Sequence, residues 1–313
     1  MIIAITGATG FIGKRLVNHH LELGHEVRIL SRKKINSLSP KVKLYNGHLL
    51  SDGETLKKFT HKVDVLYHCA AEIKNNSLMY EVNVLGTKNL LLAAKSEVKH
   101  WVQLSSTGVY GPLYNGIIDE KQIPNPKNDY EGSKLESDKL VMKAGKEKWF
   151  TYTIIRPSNV FGPDMTNQSL FQLIKAIDNG RYFYIGKTGA NANYVSVENV
   201  IEILYQAATN KLAIGKIYNI SDQLPLEKFI EAIADFLGKP KPKLRMPNFF
   251  MRLIGFIGDA IPSSPITTSR VRALTNRVSY SNDLVVHELG YLPKVDILST
   301  LKKMVEVYKE NKI

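Results

Sequence analysis

The chain of 313 residues lacks the features of a disulfide-stabilised or membrane-spanning protein. Cys69 is the only cysteine, so no intrachain disulfide can form, and a reducing compartment fits this count. No apolar run reaches about 18 residues, the length of a membrane-spanning helix. The segment 249–261 comes closest, but Arg252 and Asp259 interrupt it. We expect a cytoplasmic protein with no basic leader and no membrane span, in which 249–261 is an amphipathic helix that packs on a lobe or contacts a partner.

Acidic residues are outnumbered, because 42 lysines and arginines stand against 29 aspartates and glutamates. Such a surplus favours anionic partners: a phosphorylated cofactor, a nucleotide-linked substrate, a nucleic acid or a membrane surface. No block of five like charges occurs, and the longest basic cluster is Arg32-Lys33-Lys34. We therefore interpret most of the surplus as a lysine-rich solvated surface, and we do not expect a nucleic-acid partner.

The first half of the chain alternates short, nearly continuous apolar runs with longer helical patterns. Strands are predicted at 2–6, 26–30, 42–46, 63–68, 101–105 and 151–155, with helices at 10–23, 52–59, 77–95 and 130–146. Apolar strands separated by helices indicate a parallel sheet that is covered on both faces. The pattern predicts an α/β fold with a Rossmann-type doubly wound parallel sheet, which binds ligands beyond the carboxyl ends of its strands.

After residue 156 the pattern becomes mainly helical. Helices are predicted at 169–179, 197–209, 226–236, 247–261, 267–275 and 295–309, with one strand at 216–220. We expect a first domain over 1–160 and a smaller, mainly helical substrate lobe over 161–313. Elements near 193–220 are expected to return to the first domain.

A glycine-rich turn follows the first predicted strand and opens a helix. Gly7, Gly10 and Gly13 surround Phe11 and Ile12 in the spacing Gly-x-x-Gly-x-x-Gly. Glycines let the backbone approach a pyrophosphate closely, and a helix N-terminus offers it free N–H groups and a positive dipole. This position at the first strand–helix junction predicts a dinucleotide-binding turn that uses all five residues.

The end of the second predicted strand distinguishes NAD from NADP. An acidic residue there would bind the ribose 2′-hydroxyl, whereas a basic residue accommodates a 2′-phosphate. This chain has Ser31 and Arg32 at that point and no acid. An arginine can stack on adenine and pair with phosphate. We therefore expect NADP in preference to NAD, with both residues in contact with it.

Tyr130 and Lys134 lie at i and i+4 at the start of a helical pattern, so they share a helix face. A nearby ammonium would favour the phenolate over the phenol, whose ordinary pKa is about 10. Tyr130 could then exchange a proton with a substrate hydroxyl or carbonyl during hydride transfer. Ser106 follows another strand, and its hydroxyl could bind the reacting oxygen. No metal site is expected.

Together these features resemble the extended short-chain dehydrogenase/reductase family, which includes nucleotide-sugar epimerases, dehydratases and reductases. The resemblance extends over most of the chain, in the same order as in the family. The matching segments are 6–13, 64–71 (DVLYHCAA), 83–91 (NVLGTKNLL), 104–111, 130–134, 156–163 (RPSNVFGP), 193–200 (NYVSVENV) and 216–220 (KIYNI).

The resemblance implies a role for each matching residue. Ser106, Tyr130 and Lys134 would be catalytic, and Thr107 could share the role of Ser106. The implied cofactor contacts beyond the glycine turn are Ala70, Ala71, Asn83, Tyr130, Lys134, Pro157, Asn159 and Val160. Asn83 would also brace the active-site helix. The resemblance further suggests a homodimer.

Three functions remain open from the sequence. The leading one is a reductase or epimerase of a nucleotide-diphosphate sugar, with Thr107, Asn159 and Arg270 as candidate substrate contacts. Other arginines of the second lobe are further candidates for its phosphates. A second is a steroid- or flavonol-type dehydrogenase or reductase on the same scaffold. The third is a non-catalytic dinucleotide-binding or RNA-associated protein that keeps the fold.

Overall fold

The computed structural model describes residues 1–33, 39–51, 53–113, 115–261, 264 and 266–311. Lys34 of the basic cluster and the first residue of the helix predicted at 52–59 lie outside this part of the chain. Its central feature is a sheet of seven parallel strands. No helix within the described ranges is long and apolar enough to cross a membrane.

The first half of the chain supplies six of the seven central strands. Its elements are β1 (Ile2–Thr6), α1 (Phe11–Glu22), β2 (Glu26–Ser31), β3 (Val42–Asn46), α2 (Gly53–Thr60), β4 (Val63–His68), α3 (Asn76–Met79), a π-helical turn (Tyr80–Leu85), α4 (Gly86–Ala94), β5 (Val98–Leu104), a 3-10 turn (Thr107–Tyr110), β6 (Asn115–Ile118), α5 (Asp129–Lys146) and β7 (Thr151–Pro157).

The second half contributes one more central strand and a set of short strand pairs. Its elements are β8 (Asn159–Phe161), α6 (Ser169–Asp178), β9 (Tyr184–Ile185), β10 (Asn191–Ala192), β11 (Tyr194–Ser196), α7 (Val197–Thr209), a 3-10 turn (Lys211–Ala213), β12 (Lys216–Ile220), β13 (Leu224–Pro225), α8 (Leu226–Leu237), β14 (Arg245–Met246), α9 (Asn248–Asp259), α10 (Thr268–Thr275), β15 (Arg277–Tyr280), α11 (Asp283–Leu289) and α12 (Ile297–Asn311).

The strand order of the central sheet is β12-β7-β5-β4-β1-β2-β3. From β1 the chain adds β2 and β3 on one side, and it then adds β4 on the other side of β1. The strand order therefore reverses between β1 and β4. In an open parallel sheet, ligands bind at such a reversal, beyond the carboxyl ends of the strands. The predicted α/β class and doubly wound sheet are confirmed, and the loops after β1 and β4 meet at the reversal.

All seven predicted strands and ten predicted helices are present, with ends shifted by a few residues. The strand predicted at 101–105 begins earlier, at Val98, and ends at Leu104. The helix predicted at 77–95 contains a π-helical turn. The sequence reading missed α11 and eight short strands, among them β6, which pairs with β15 from the far end of the chain.

Two large hydrophobic clusters underlie the two halves of the molecule. One lies beneath the central sheet and includes residues of α7, β12 and α11. The other is formed by α6, α8 and α12 around Phe229, Ile230 and Leu301. Helix α7, strand β12 and the later helix α11 thus pack with the central sheet, and the predicted return of elements near 193–220 to a first domain stays a prediction. The division at residue 160 stays a prediction.

Candidate functional site

The glycine turn lies at the strand reversal and depends on its glycines. Gly7 has a φ of +68°, and a Cβ there would lie 2.7 Å from the Ala70 amide nitrogen. A Cβ on Gly13 would lie 2.2 Å from the Gly7 carbonyl oxygen. Side chains at these two positions would therefore separate β1, α1 and the loop after β4. Gly10 donates its N–H to the same Gly7 oxygen at 2.9 Å.

Helix α1 begins immediately after this turn without a side-chain cap. Gly10 is its N-cap residue and makes no side-chain capping hydrogen bond. Uncapped N–H groups and the helix dipole favour an anionic group at this end. Phe11 and Ile12 are half-buried. Phe11 packs on the hydrophobic cluster formed by α6, α8 and α12, and Ile12 packs on the cluster beneath the central sheet. The turn fits the diphosphate of a dinucleotide.

At the end of β2, the Ser31 hydroxyl is hydrogen-bonded to the backbone, and the Arg32 guanidinium is exposed. The buried Ser31 hydroxyl accepts from the Lys33 N–H at 3.2 Å and donates to the Lys33 carbonyl at 3.0 Å. It therefore shapes the local turn. Arg32 is exposed, and its positive charge is among the causes that lower the pKa of the Glu72 carboxyl.

A buried polar relay holds the loop after β4. Thr6 Oγ1 lies 2.7 Å from His68 Nδ1 and accepts from the Ala70 N–H at 3.2 Å. His68 Nε2 lies 2.9 Å from the Thr87 hydroxyl. Burial lowers the pKa of His68 to about 3, so the ring is neutral at neutral pH. Thr6, His68 and Thr87 thus fix the backbone at Ala70 and the adjacent Ala71 beside the glycine turn.

Asn83 lies in the π-helical turn and connects three parts of the site. Its Nδ2 donates to the Ser133 hydroxyl of α5 at 2.9 Å and to the Glu72 carbonyl at 3.0 Å, and its Oδ1 accepts from the Glu72 N–H at 2.7 Å. π-helical turns inside α-helices are often found at functional sites. This local widening was not predicted.

Tyr130, Lys134 and Ser106 meet where α5 crosses the carboxyl end of β5. The Ser106 side chain lies near enough to the Tyr130 phenol to affect its pKa, and the Ser106 hydroxyl accepts from the Gly108 N–H at 3.0 Å. Lys134 is buried and donates to the Leu104 carbonyl at 2.5 Å. The three groups predicted to be catalytic therefore lie at one end of the sheet.

The expected effect of Lys134 on Tyr130 is wrong for this structure. Burial raises the pKa of Tyr130 to about 12, and the Asp138 carboxylate adds to the rise, while the nearby Ser106 side chain opposes it. Burial also lowers the pKa of Lys134, against the attraction of Asp138. Removal from water outweighs the local charges here, because desolvation penalises the charged form of each group. Tyr130 is therefore a neutral phenol at neutral pH.

A buried ion pair behind this site was missed by the sequence reading. Asp138 Oδ2 accepts from Arg156 at 3.1 Å and from the Ser105 hydroxyl at 2.8 Å. The Arg156 guanidinium also donates to the Tyr110 hydroxyl at 3.1 Å. No local spacing signals this pair, because Arg156 lies on β7, 18 residues after Asp138.

The remaining predicted residues surround this centre at different depths. Pro157 is buried at the end of β7, Val160 is half-buried, and Asn159 is exposed, with its side-chain amide donating to the Asn193 carbonyl at 3.1 Å. Thr107 is buried, and its side chain lies near Tyr280 of β15. Arg270 is exposed on α10. Their contacts with cofactor or substrate stay predictions.

This architecture recurs in known proteins. The chain is 27% identical over 300 residues to the Arabidopsis thaliana 3beta-hydroxysteroid-dehydrogenase/decarboxylase isoform 2, covering 86% of this chain but only 52% of that relative, about half its length. It is 28% identical over 290 residues to the Escherichia coli O157:H7 N-acetyl-alpha-D-glucosaminyl-diphospho-ditrans,octacis-undecaprenol 4-epimerase, covering 88% of this chain and 84% of that one. The solved UDP-glucuronic acid 4-epimerase from Bacillus cereus, in complex with NAD, has the same fold, with a TM-score of 0.77, 21% identity and full coverage of both chains.

A family model decides the assignment that the fold and the glycine turn suggest. It describes the NAD dependent epimerase/dehydratase family and matches residues 3–221, more than half of the chain. The match includes the glycine turn, the predicted catalytic residues and the returning strand β12. The chain therefore belongs to the NAD dependent epimerase/dehydratase family.

Proposed function

We propose that the chain is an NAD(P)-dependent oxidoreductase or epimerase that uses Ser106, Tyr130 and Lys134 as its catalytic residues. The observation that carries this proposal is that Tyr130 and Lys134, one turn apart on α5, meet Ser106 at the sheet edge that also holds the glycine turn. A proton donor and a dinucleotide site at one edge are what reversible hydride transfer to a carbonyl requires.

The coenzyme would be held by backbone as much as by side chains. The turn from Gly7 to Gly13 and the uncapped start of α1 fit its diphosphate. Ala70 and Ala71 would line its central part, and Lys134 would bind the nicotinamide ribose. When bound, a nicotinamide coenzyme supplies or accepts the hydride.

The protonation state of the site favours the reductive direction at neutral pH. Because the pKa of Tyr130 is raised to about 12, its phenol carries a proton that it can donate to a substrate oxygen. Ser106 can donate a second hydrogen bond to that oxygen and stabilise its developing negative charge. Oxidation would require the phenolate, so its rate should rise with pH, whereas reduction should remain insensitive to pH around neutrality.

The substrate class that we favour is a sugar linked through a diphosphate. The Escherichia coli relative is described as acting on such a sugar carried by undecaprenol, and the excess of basic residues suits an anionic substrate. The candidate substrate contacts are Arg270, Thr107 and Asn159.

A sterol-type alcohol is the second candidate substrate. The Arabidopsis relative is described as a 3beta-hydroxysteroid dehydrogenase, and the second lobe of this chain carries an exposed apolar helix, α9. Both substrates require the same proton transfer. A panel that contains a UDP-sugar, a polyprenyl-diphosphate sugar and a 3β-hydroxysterol separates them by turnover alone.

The exposed Arg32 supports a further preference for NADP over NAD. Its guanidinium can pair with a 2′-phosphate, and the residues that end β2 and follow it, Leu30, Ser31 and Arg32, include no acidic residue of their own to bind a 2′-hydroxyl. We expect Arg32→Asp to weaken NADP binding about tenfold or more, the loss of a charge-assisted contact, and to leave NAD binding unchanged or improved. Equal weakening of both coenzymes would contradict this preference.

The substitution Tyr130→Phe tests the proposed chemistry. It removes only the hydroxyl, so we expect turnover to fall by about 10²–10⁴-fold while the coenzyme still binds. Tyr205→Phe on α7 is the matched control and should keep full turnover. Net reduction or oxidation can be followed by coenzyme absorbance, and epimerisation, which regenerates its coenzyme, by analysis of the products from the substrate panel. Coenzyme binding is measured by titration. A Tyr130→Phe variant as active as the control would refute the catalytic assignment.

A further inference from the structure

Helix α9 exposes a continuous face of large apolar side chains. Phe249 is 76% exposed and Phe256 is 74% exposed, values that are unusual for phenylalanine. The other members of this face are Phe250, Leu253, Ile254 and Ile257, with Ile261 just beyond the helix. We refer to these seven residues as the α9 face. A contiguous exposed apolar patch of this kind marks an interaction surface.

The packing of α9 against the rest of the lobe leaves no room for its large apolar side chains on the inner side. The buried positions of the helix are Met251, Gly255 and Gly258. A Cβ on Gly258 would lie 1.9 Å from the Ile266 carbonyl oxygen, and one on Gly255 would lie 3.1 Å from the Thr268 amide nitrogen. The helix therefore lies directly against backbone on its inner side. Rotating a phenylalanine or leucine inward would create a severe clash.

The segments on either side of α9 in the chain are rich in basic residues. Residues 239–272 contain seven lysines and arginines and a single acidic residue, Asp259. Some of these cations pair within the lobe, for example Lys241 with Glu231 at 3.1 Å. Lys243 and Arg252 are exposed. At 100° per residue, Arg252 lies at one border of the apolar arc.

We propose that the α9 face docks on the surface of an anionic phospholipid bilayer. Its apolar side chains would enter the boundary between headgroups and acyl chains, and Lys243 and Arg252 would bind the headgroups, as in other interfacial amphipathic helices. A second copy of this chain fits less well. A twofold contact would bring the same basic surface of both copies together, and like charges would repel.

The same lobe connects the α9 face to the candidate catalytic centre. Helix α10 packs against α9 and leads into β15, whose Tyr280 lies near Thr107, the residue that follows Ser106. A bilayer at α9 would place the lobe where it can receive a substrate with a lipid tail. This substrate class rests on the proposed function, whereas the docking itself does not require catalysis.

Co-sedimentation of the full chain with vesicles tests the docking. The probes are vesicles of phosphatidylcholine alone and of phosphatidylcholine mixed with phosphatidylglycerol. We expect binding to the mixed vesicles that weakens as salt is added. The double variant Phe249→Ser/Phe256→Ser should lose most of this binding, and Lys243→Glu/Arg252→Glu should weaken it about tenfold or more, since each basic residue contributes at an anionic surface.

A matched control changes two equally exposed leucines away from α9. Leu212→Ser/Leu292→Ser should bind vesicles like the unmodified chain, because these residues are 62% and 75% exposed but lie outside the α9 face. The docking would be overturned if the unmodified chain stays in solution with both vesicles, or if all variants bind equally. It would also be overturned if ultracentrifugation shows a dimer that only the α9 variant dissociates.

Coenzyme titration of the same samples separates this inference from the proposed function. Vesicle binding without coenzyme binding would refute the oxidoreductase and leave the docking intact. Coenzyme binding and turnover without vesicle binding would refute the docking and leave the catalytic proposal intact.

Discussion

Helices α5 and α9 each depart from the usual arrangement of an amphipathic helix: α5 buries polar side chains, and α9 exposes apolar ones. Helix α5 buries polar side chains, among them Lys134 and Asp138. Helix α9 buries glycine and exposes phenylalanine. An ordinary surface helix does neither. Local rules are broken mainly at functional positions, so the first departure points to chemistry in the interior and the second to contact at the surface.

The largest effect on stability is expected at the buried ion pair that holds α5 to β7. Arg156 and Asp138 are 4% and 0% exposed. Arg156→Met would leave a buried carboxylate without its cation, so we expect the free energy of unfolding to fall by about 3–5 kcal/mol. Urea unfolding measures this change.

The control for this prediction lies on the same helix. Lys139 and Glu136 also form an ion pair, but they are 59% and 50% exposed. Lys139→Met should change the free energy of unfolding by less than about 1 kcal/mol. Similar losses for the two variants would contradict the view that the interior of α5 is held by charge.

Because the buried His68 ring is neutral, the free energy of unfolding should depend on pH. Its folded pKa is lowered to about 3 from an ordinary 6.5, so below pH 6.5 the unfolded chain takes up a proton that the folded chain does not. The free energy of unfolding should therefore fall with decreasing pH by about 1.4 kcal/mol per unit from this group. This loss continues down to the folded pKa.

The variant His68→Gln isolates that contribution. We expect its free energy of unfolding to fall about 2 kcal/mol less than that of the unmodified chain between about pH 7 and about pH 5. His20 and His100 are also buried with lowered pKa values, of about 3 and about 4, so part of the dependence persists. An identical pH dependence in both chains would contradict a neutral His68.

Substitutions on the α9 face should have the smallest effect on stability. Phe249→Ser and Phe256→Ser remove side chains that are already about three-quarters exposed, so we expect the free energy of unfolding to change by less than about 0.5 kcal/mol each. Urea unfolding of the single variants measures this. A loss of several kcal/mol would mean that these rings pack within the chain, and the contrast with α5 would fail.

The sequence was sufficient where the local pattern and the tertiary structure agree. The apolar run of β1 and the glycines after it predicted a parallel sheet and a dinucleotide turn, because such a turn has few other structural uses. The pairs β15–β6 and β11–β8 could not be found in this way. A strand of three or four residues has too little periodicity, and its partner lies far away in the chain.

The candidate site was predictable in its residue types but not in its energetics. Tyr130 and Lys134 could be placed on one helix face from their spacing alone. The raised pKa of Tyr130 depends on burial, which spacing does not reveal. Likewise, the pattern of 249–261 predicted an amphipathic helix, but only the contact of Gly258 with the backbone at Ile266 shows which side faces outward.

Coenzyme titration of the purified full chain tests the central claim most directly. NADPH and NADH are added separately to the folded protein, and coenzyme fluorescence is followed to saturation. The site described at the glycine turn predicts saturable binding of one coenzyme per chain, tighter for NADPH. A chain that is folded by circular dichroism but binds neither coenzyme would contradict the account.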